Sequence, residues 1–260
     1  MGALDGRVVI VTGAGRGIGR EHALLMASEG AKLVINDLGG NVDGTGSDAG
    51  PAQEVVEEIK AMGGEAVANT DSVTDWEGGQ RLINTAVEAF GDLHGLVNNA
   101  GILRDRVLVN MTEAEWDAVI AVDLKGHFVP SRWASAYWRE KSKETGQPVK
   151  GSIVNTASGA MLGNPGQTNY TATKAGVAAM AEVWAKELAR YGIRSGSIAP
   201  GYTRTDILSA MRPEILDKLT AQVPLRRLGE ASEIASAAVF IVENDFFTGR
   251  CIDVDGGMRI

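Results

Sequence analysis

One cysteine, Cys251, in 260 residues excludes an internal disulfide and fits a reducing compartment. Histidine is almost as scarce. His22, His94 and His127 lie far apart, show no metal-ligand spacing and read as surface or packing residues. Positive charge is outweighed, with 25 Lys and Arg against 33 Asp and Glu and a formal net charge of −8. That balance argues against a nucleic-acid partner or an anionic membrane surface, since both need clustered Lys and Arg. It leaves room for an anionic substrate held by a few local basic residues. No stretch is long and uncharged enough to span a bilayer, and the opening MGALDGR has no apolar signal core. Gly6 stands where N-myristoylation calls for Ser or Thr, and the ending Gly-Met-Arg-Ile carries no peroxisomal address. A cytoplasmic location is the expectation.

Hydrophobic residues make up 44% of the chain and charged ones 22%, enough for a full globular core. The pattern alternates strand and helix throughout. Strands are expected at Val8–Val11, Lys32–Asn36, Glu65–Thr70, Leu93–Val97, Ser152–Thr156, Arg194–Ala199 and Cys251–Val254. Helices fall between them, one opened by the capping box Thr112-x-x-Glu115 and continuing past Trp133 and Trp138 as packing aromatics. No shift in composition marks a linker. Residues 1–260 therefore read as one α/β domain, a doubly wound, Rossmann-like parallel sheet of about seven strands with helices on both faces.

The string RVVIVTGAGRGIG, Arg7 to Gly19, organises the rest. A β-branched run suits a strand buried on both faces, and the glycines that follow turn it into a helix. Such a turn leaves backbone N–H groups free at a helix N-terminus, where partial positive charge favours a pyrophosphate. Alone, a glycine string is a weak signal. Asp37 strengthens it by closing the next strand, where a carboxylate can hydrogen-bond both hydroxyls of an adenosine ribose. The bland reading of Asp37 is a turn residue. The Gly- and Asp-rich Leu38–Pro51 reads as a loop ordered by binding over the adenosine, and Asp71-Ser72-Val73 could flank the adenine.

Tyr170 and Lys174 are four residues apart and share one helix face. An ammonium beside a phenol favours phenolate, so the pair can exchange a proton with an alcohol while hydride moves to or from a nicotinamide. The spacing is common on surface helices. Its position just after the fifth strand gives it weight.

With Thr12–Gly19, Asn98–Gly101, Tyr170 with Lys174, and Pro200–Thr205 in this order, the chain resembles the short-chain dehydrogenase/reductase family over nearly its whole length. The strings VINDLGG (Val34–Gly40), Gly64–Val73 and NNAGILRDR (Asn98–Arg106) are most similar to the 3-hydroxyacyl-CoA dehydrogenase domains of peroxisomal multifunctional enzymes of type 2 and bacterial relatives. Val223–Gly229 and Thr248–Gly257 also resemble 3-oxoacyl-acyl-carrier-protein reductases. The resemblance implies NAD as cofactor. It implies that Gly13, Arg16, Gly17 and Ile18 line the pyrophosphate, Asp37 holds the ribose, and Asp71 and Ser72 border the adenine. Asn99, Ala100 and Gly101 would pass beside the cofactor, and Pro200, Gly201, Thr203 and Thr205 would hold its carboxamide end. Tyr170 would be the acid/base, and Lys174 would bind the nicotinamide ribose and tune that tyrosine. The implied substrate is a small molecule, a 3-hydroxyacyl/3-oxoacyl thioester, with a hydroxysteroid as the alternative. A homodimer or homotetramer pairing the two long helices follows from family habit. The Ile207–Leu228 stretch is expected to be a flap over the active site.

Two positions depart from the family pattern. The serine usual thirteen residues before the tyrosine is Ala157 here, and Ser158 follows it; a loop shorter by one residue would put Ser158 in the catalytic place. The asparagine usual in the long helix, which helps a water relay to the catalytic lysine in the family, is Asp123 here, which can accept those hydrogen bonds but donates none when ionised. These departures motivate a rival of another class, a nucleotide-binding regulatory protein with a disabled site. Tyr170 and Lys174, both intact, weigh against it.

Overall fold

The computed structural model describes residues 2–205, 208 and 212–258. In chain order its main elements begin with β1 (Val8–Thr12), α1 (Gly17–Ser28), β2 (Lys32–Asn36), α2 (Gly50–Ala61), β3 (Ala66–Asn69), α3 (Trp76–Phe90) and β4 (Gly95–Asn98). Next come α4 (Glu113–Val119), a π-helical segment (Ile120–Lys125), α5 (Gly126–Thr145), β5 (Gly151–Thr156), α6 (Thr168–Leu188) and β6 (Ile193–Pro200). The last are β7 (Thr203–Arg204), α7 (Pro213–Gln222), β8 (Gly229–Glu230), α8 (Ala231–Glu243) and β9 (Cys251–Val254).

All five residues of β1 are buried, as the β-branched run requires. Successive side chains enter opposite cores. Val9 and Val11 pack with Met26 of α1, Val55 and Ile59 of α2 and Ile234 and Ile241 of α8. Val8 and Ile10 pack with Leu82 and Ile83 of α3 and Trp138 of α5. Among the described residues seven parallel strands form one sheet in the order β3-β2-β1-β4-β5-β6-β9, and β7 pairs with β8 apart from it. The chain leaves β1 towards β2 on one side and returns to β4 on the other. The carboxyl ends of β1 and β4 therefore flank a switch point, where open α/β sheets form their binding crevice.

One expectation needs adjustment. The helix opened by Thr112 is not continuous. Its capping box is present, but the α-helical ladder changes to π over Ile120–Lys125 before α5 resumes. The π turn carries Asp123, and Pro130 just beyond cannot donate a backbone hydrogen bond. The loop after β2 is tied by backbone hydrogen bonds. Asn41 N–H donates to the Thr45 carbonyl at 2.7 Å, Asp48 N–H to Leu38 at 3.0 Å, and Leu103 N–H reaches the Val42 carbonyl at 3.0 Å. The expected flap lies partly outside the described residues; its described part contains α7.

The carboxyl ends of β1 and β4 are joined by one hydroxyl. Thr12 Oγ1 accepts from Asn99 N–H at 3.0 Å and Ala100 N–H at 3.1 Å, and its own proton points to the Val97 carbonyl at 3.4 Å. Thr12→Val keeps the shape and leaves those two N–H groups unpaired. We expect a loss of about 1–3 kcal/mol in unfolding free energy, read from the denaturant midpoint. An unchanged midpoint would show that the clamp contributes nothing.

Candidate active site

The glycine turn is built by close approach. A Cβ on Gly13, whose φ is +60°, would lie 2.7 Å from Ala100 Cα, and one on Gly19 would collide with the Gly13 carbonyl. Asn99 Nδ2 donates to the Thr12 and Gly13 carbonyls at 3.2 and 3.1 Å, which packs Asn99-Ala100-Gly101 against the turn. Helix α1 begins at Gly17 after the exposed Arg16. It has no side-chain cap and no acidic residue in its first turn, so its N-terminal N–H groups remain available to an anion. Ile18 packs against the core beneath.

Asp37 follows β2. Its Oδ2 accepts from Gly15 N–H and its Oδ1 from Gly39 N–H, both at 2.7 Å. These bonds fix the carboxylate at the rim of the turn. Beyond β3, Asp71 accepts from Asn69 Nδ2 at 2.9 Å and pairs with Arg81 at 2.6 Å, while Ser72 Oγ shares a hydrogen bond with Thr74 at 3.0 Å. Pro200 ends β6 against Val254, and Gly201 N–H donates to the Val254 carbonyl at 3.0 Å. Thr203 Oγ1 donates to the Gly201 carbonyl at 3.1 Å, and Thr205 Cγ2 lies within van der Waals reach of Gly17. Thr205 thus brings the end of the Pro-Gly stretch up to the glycine turn. The residues present fit an NAD(P) nucleotide, because the turn before α1 carries no bulky side chain and the helix end beside it is uncapped and free of acidic residues.

Helix α6 carries Tyr170 in its first turn and Lys174 one turn later. Lys174 is buried. Its Nζ donates to the Thr156 carbonyl at 3.1 Å, lies 5.1 Å from the centre of the Tyr170 ring, and stands 3.2 Å from Asp123 Oδ2. Asp123 is fully buried, and its Oδ1 accepts from Ile102 N–H at 2.8 Å. Oδ2 forms an ion pair with Lys174 rather than a well-aligned hydrogen bond. Burial raises the Asp123 pKa, against the pull of Lys174. Burial opposes the Lys174 ammonium, yet the Asp123 and Tyr170 charges outweigh it and raise its pKa. The Tyr170 phenol is pushed up by burial first and pulled back by Lys174. Asp123 and Asp105 push it further up, and the Ser158 hydroxyl pulls it down.

Ala157 is buried against Val177 and Ala199, whereas Ser158 lies beyond the end of β5 with its hydroxyl close to Tyr170. Ser158 Oγ also accepts from Ala160 N–H at 3.2 Å. Every residue expected at the site thus lies along the carboxyl edge of the sheet or the segments packed on it. Sequence reasoning missed three neighbours. These are the Thr12 clamp, Asp105, and the fully buried His127, which burial and then Lys174 hold neutral. None carries a spacing signal, because each acts through a contact made only in the fold.

A family model described as enoyl-(acyl carrier protein) reductase matches residues 13–259. A putative short-chain type dehydrogenase/reductase of Mycobacterium tuberculosis is 45% identical over 222 residues, 85% of this chain and 76% of the relative. The 3-oxoacyl-[acyl-carrier-protein] reductase FabG of Thermotoga maritima is 37% identical over 261 residues, 99% of each chain. The peroxisomal hydratase-dehydrogenase-epimerase of Saccharomyces cerevisiae is 44% identical over 245 residues, 93% of this chain but only 26% of that protein. A crystal structure of a short chain dehydrogenase from Mycobacterium avium superposes with a TM-score of 0.84 at 48% identity, covering 98% of this chain and 85% of that one. With the glycine cradle, the Tyr170–Lys174 pair and these matches in agreement, the chain belongs to the short-chain dehydrogenase/reductase family of oxidoreductases.

Proposed function

We propose that the protein interconverts a 3-hydroxyacyl and a 3-oxoacyl thioester with NAD as cofactor, residues 1–260 acting as one unit. The observation that carries this reading is the convergence of Tyr170, Lys174 and Ser158 beside the glycine cradle. The acyl thioester is supported by the name of one relative above, the 3-oxoacyl-[acyl-carrier-protein] reductase. It is supported also by an apolar rim, where Leu108, Val109 and Leu162 are exposed on loops joined by the Arg106–Gln167 bridge.

When bound, the nicotinamide supplies or takes up the hydride. Gly13, Arg16, Gly17 and Ile18 would hold the pyrophosphate, and Asp37 the adenine ribose. Asp71 and Ser72 would border the adenine. Asn99, Ala100 and Gly101 would back the nicotinamide side, with Pro200, Gly201, Thr203 and Thr205 at the carboxamide. Tyr170 Oη gives its proton to the ketone oxygen in reduction and takes it from the alcohol in oxidation. Lys174 holds the tyrosine's electrostatic setting, and the Ser158 hydroxyl donates to the oxygen as charge develops there. We also infer a cytoplasmic enzyme, supported by its single free thiol, and a homodimer or homotetramer. The exposed Phe128 of α5 and Val183 of α6 support pairing through those helices.

Relative rates on acetoacetyl-CoA, a 17-oxosteroid and a small ketone test the substrate; a clear preference for the steroid would overturn the thioester. Tyr170→Phe should keep its fold and NAD affinity and lose turnover by ~10²–10⁴-fold. Ser158→Ala should lower kcat by ~10²–10³-fold with NAD binding retained, whereas loss of melting temperature without loss of kcat would leave Ser158 a turn residue only. NAD(H) should give the higher kcat/KM, because the pinned Asp37 carboxylate repels a 2′-phosphate. Equal or higher kcat/KM with NADPH would show that Arg16 prevails.

A further inference from the structure

The Asp123–Lys174 ion pair adds a buried negative charge at the place where the family pattern has a neutral amide. We propose that Asp123 is a positioning residue whose carboxylate neutralises Lys174 and so holds Tyr170 as a protonated phenol, biasing the site towards giving a proton to a ketone. The proposal rests on the acid–base reading of Tyr170 above and specifies the direction that site favours.

A count of charge carries the argument. Four groups besides the phenol face this cluster: Lys174 on α6, Asp123 on the π-helical segment, His127 at the start of α5, and Asp105 on the loop after β4. His127 is buried and neutral, and Asp105 is exposed. With Tyr170 protonated, the buried set of phenol, ammonium and carboxylate sums to zero. Loss of the phenol proton leaves it at minus one in a poorly solvated place. With asparagine at 123 the same loss would take the set from plus one to zero. Poorly solvated sites favour the neutral total, so the carboxylate makes phenolate harder to form. The geometry also limits what a structural role can explain. Asp123 Oδ1 accepts from Ile102 N–H, and an asparagine oxygen can do the same. Asp123→Asn therefore removes the charge and keeps the bond and the shape.

The first test is a difference titration of the apoprotein against its Tyr170→Phe variant, followed through tyrosinate absorbance from neutral to strongly alkaline pH. Subtraction removes the other tyrosines. Tyr170 should ionise at or above the ordinary phenol value of about 10. In the Asp123→Asn background, again against Tyr170→Phe, it should ionise about 1–3 pH units lower. The alkaline limb of alcohol oxidation should move the same way, raising the ratio of oxidation to reduction at fixed pH. Ionisation at the same pH in both backgrounds overturns the proposal while leaving the acid–base reading intact. If Asp123→Asn does not fold, the unsubstituted chain decides alone: ionisation of Tyr170 near neutral pH overturns the proposal, and ionisation only above about 10 upholds it. A Tyr170→Phe variant that keeps its turnover is a different failure, because it removes the acid–base reading itself.

Discussion

An ammonium taken out of water has to be paired, and Lys174 is only 2% exposed. Its partners come from three separate elements: the Thr156 carbonyl at the end of β5, Asp123 from the π-helical segment, and the Tyr170 ring one turn back on α6. None of these contacts is local except the last. The long helix, the fifth strand and α6 must therefore dock correctly before the lysine is satisfied. An apolar residue of similar volume would often be as stable or more so at such a position. The pair is better understood as a setting for the phenol beside it than as a source of stability.

A second constraint, close backbone approach, links that pair to the glycine turn. Thr12 holds the N–H groups of Asn99 and Ala100, and Asn99 returns two bonds to the turn. Gly101 follows directly, and a Cβ there would stand 2.8 Å from Asp123 Oδ2. The next residue, Ile102, gives its N–H to the other oxygen of Asp123. One unbroken run of contacts therefore extends from β1 through the end of β4 to Asp123, Lys174 and Tyr170. A shift in the glycine turn would be felt at Lys174 and Tyr170, and the small residues along this run keep it short.

Much of this was legible in the chain because it rests on local rules. The β-branched run, the Thr112 capping box, the glycine that stops α3 at Gly91 and the four-residue spacing of Tyr170 and Lys174 each need only neighbouring residues to be read. Other features depend on tertiary contact and left no pattern. An apolar period of 3.6 residues does not reveal one inserted residue, so the π-helical turn at Ile120–Lys125 was read as plain helix. The composition of Leu38–Pro51 marks a loop but not the backbone bonds that tie its ends and middle to itself and to Leu103. Asp123 was visible as a departure, but the ion pair that gives it meaning appears only when α6 packs across the π segment.

The places of Ala157 and Ser158 follow from the same docking. Beyond Thr156 the chain still runs as β5 did, and its next side chain, at 157, enters a pocket shared with Val177 and Ala199. A hydroxyl there would need a partner among apolar neighbours, and an unpaired one costs about 1–3 kcal/mol. Alanine suits that position. One residue later the chain has turned outward. The Ser158 oxygen then accepts from the Ala160 N–H, and its hydroxyl is near enough to the Tyr170 phenol to pull that phenol's pKa down. The loop that follows, through Gly163 and Gly166 with their positive φ, has the freedom to absorb a one-residue difference in length before α6 begins. Ser158, one residue beyond the buried position 157, is therefore the residue whose hydroxyl faces Tyr170, a matter of register that counting back from the tyrosine cannot see.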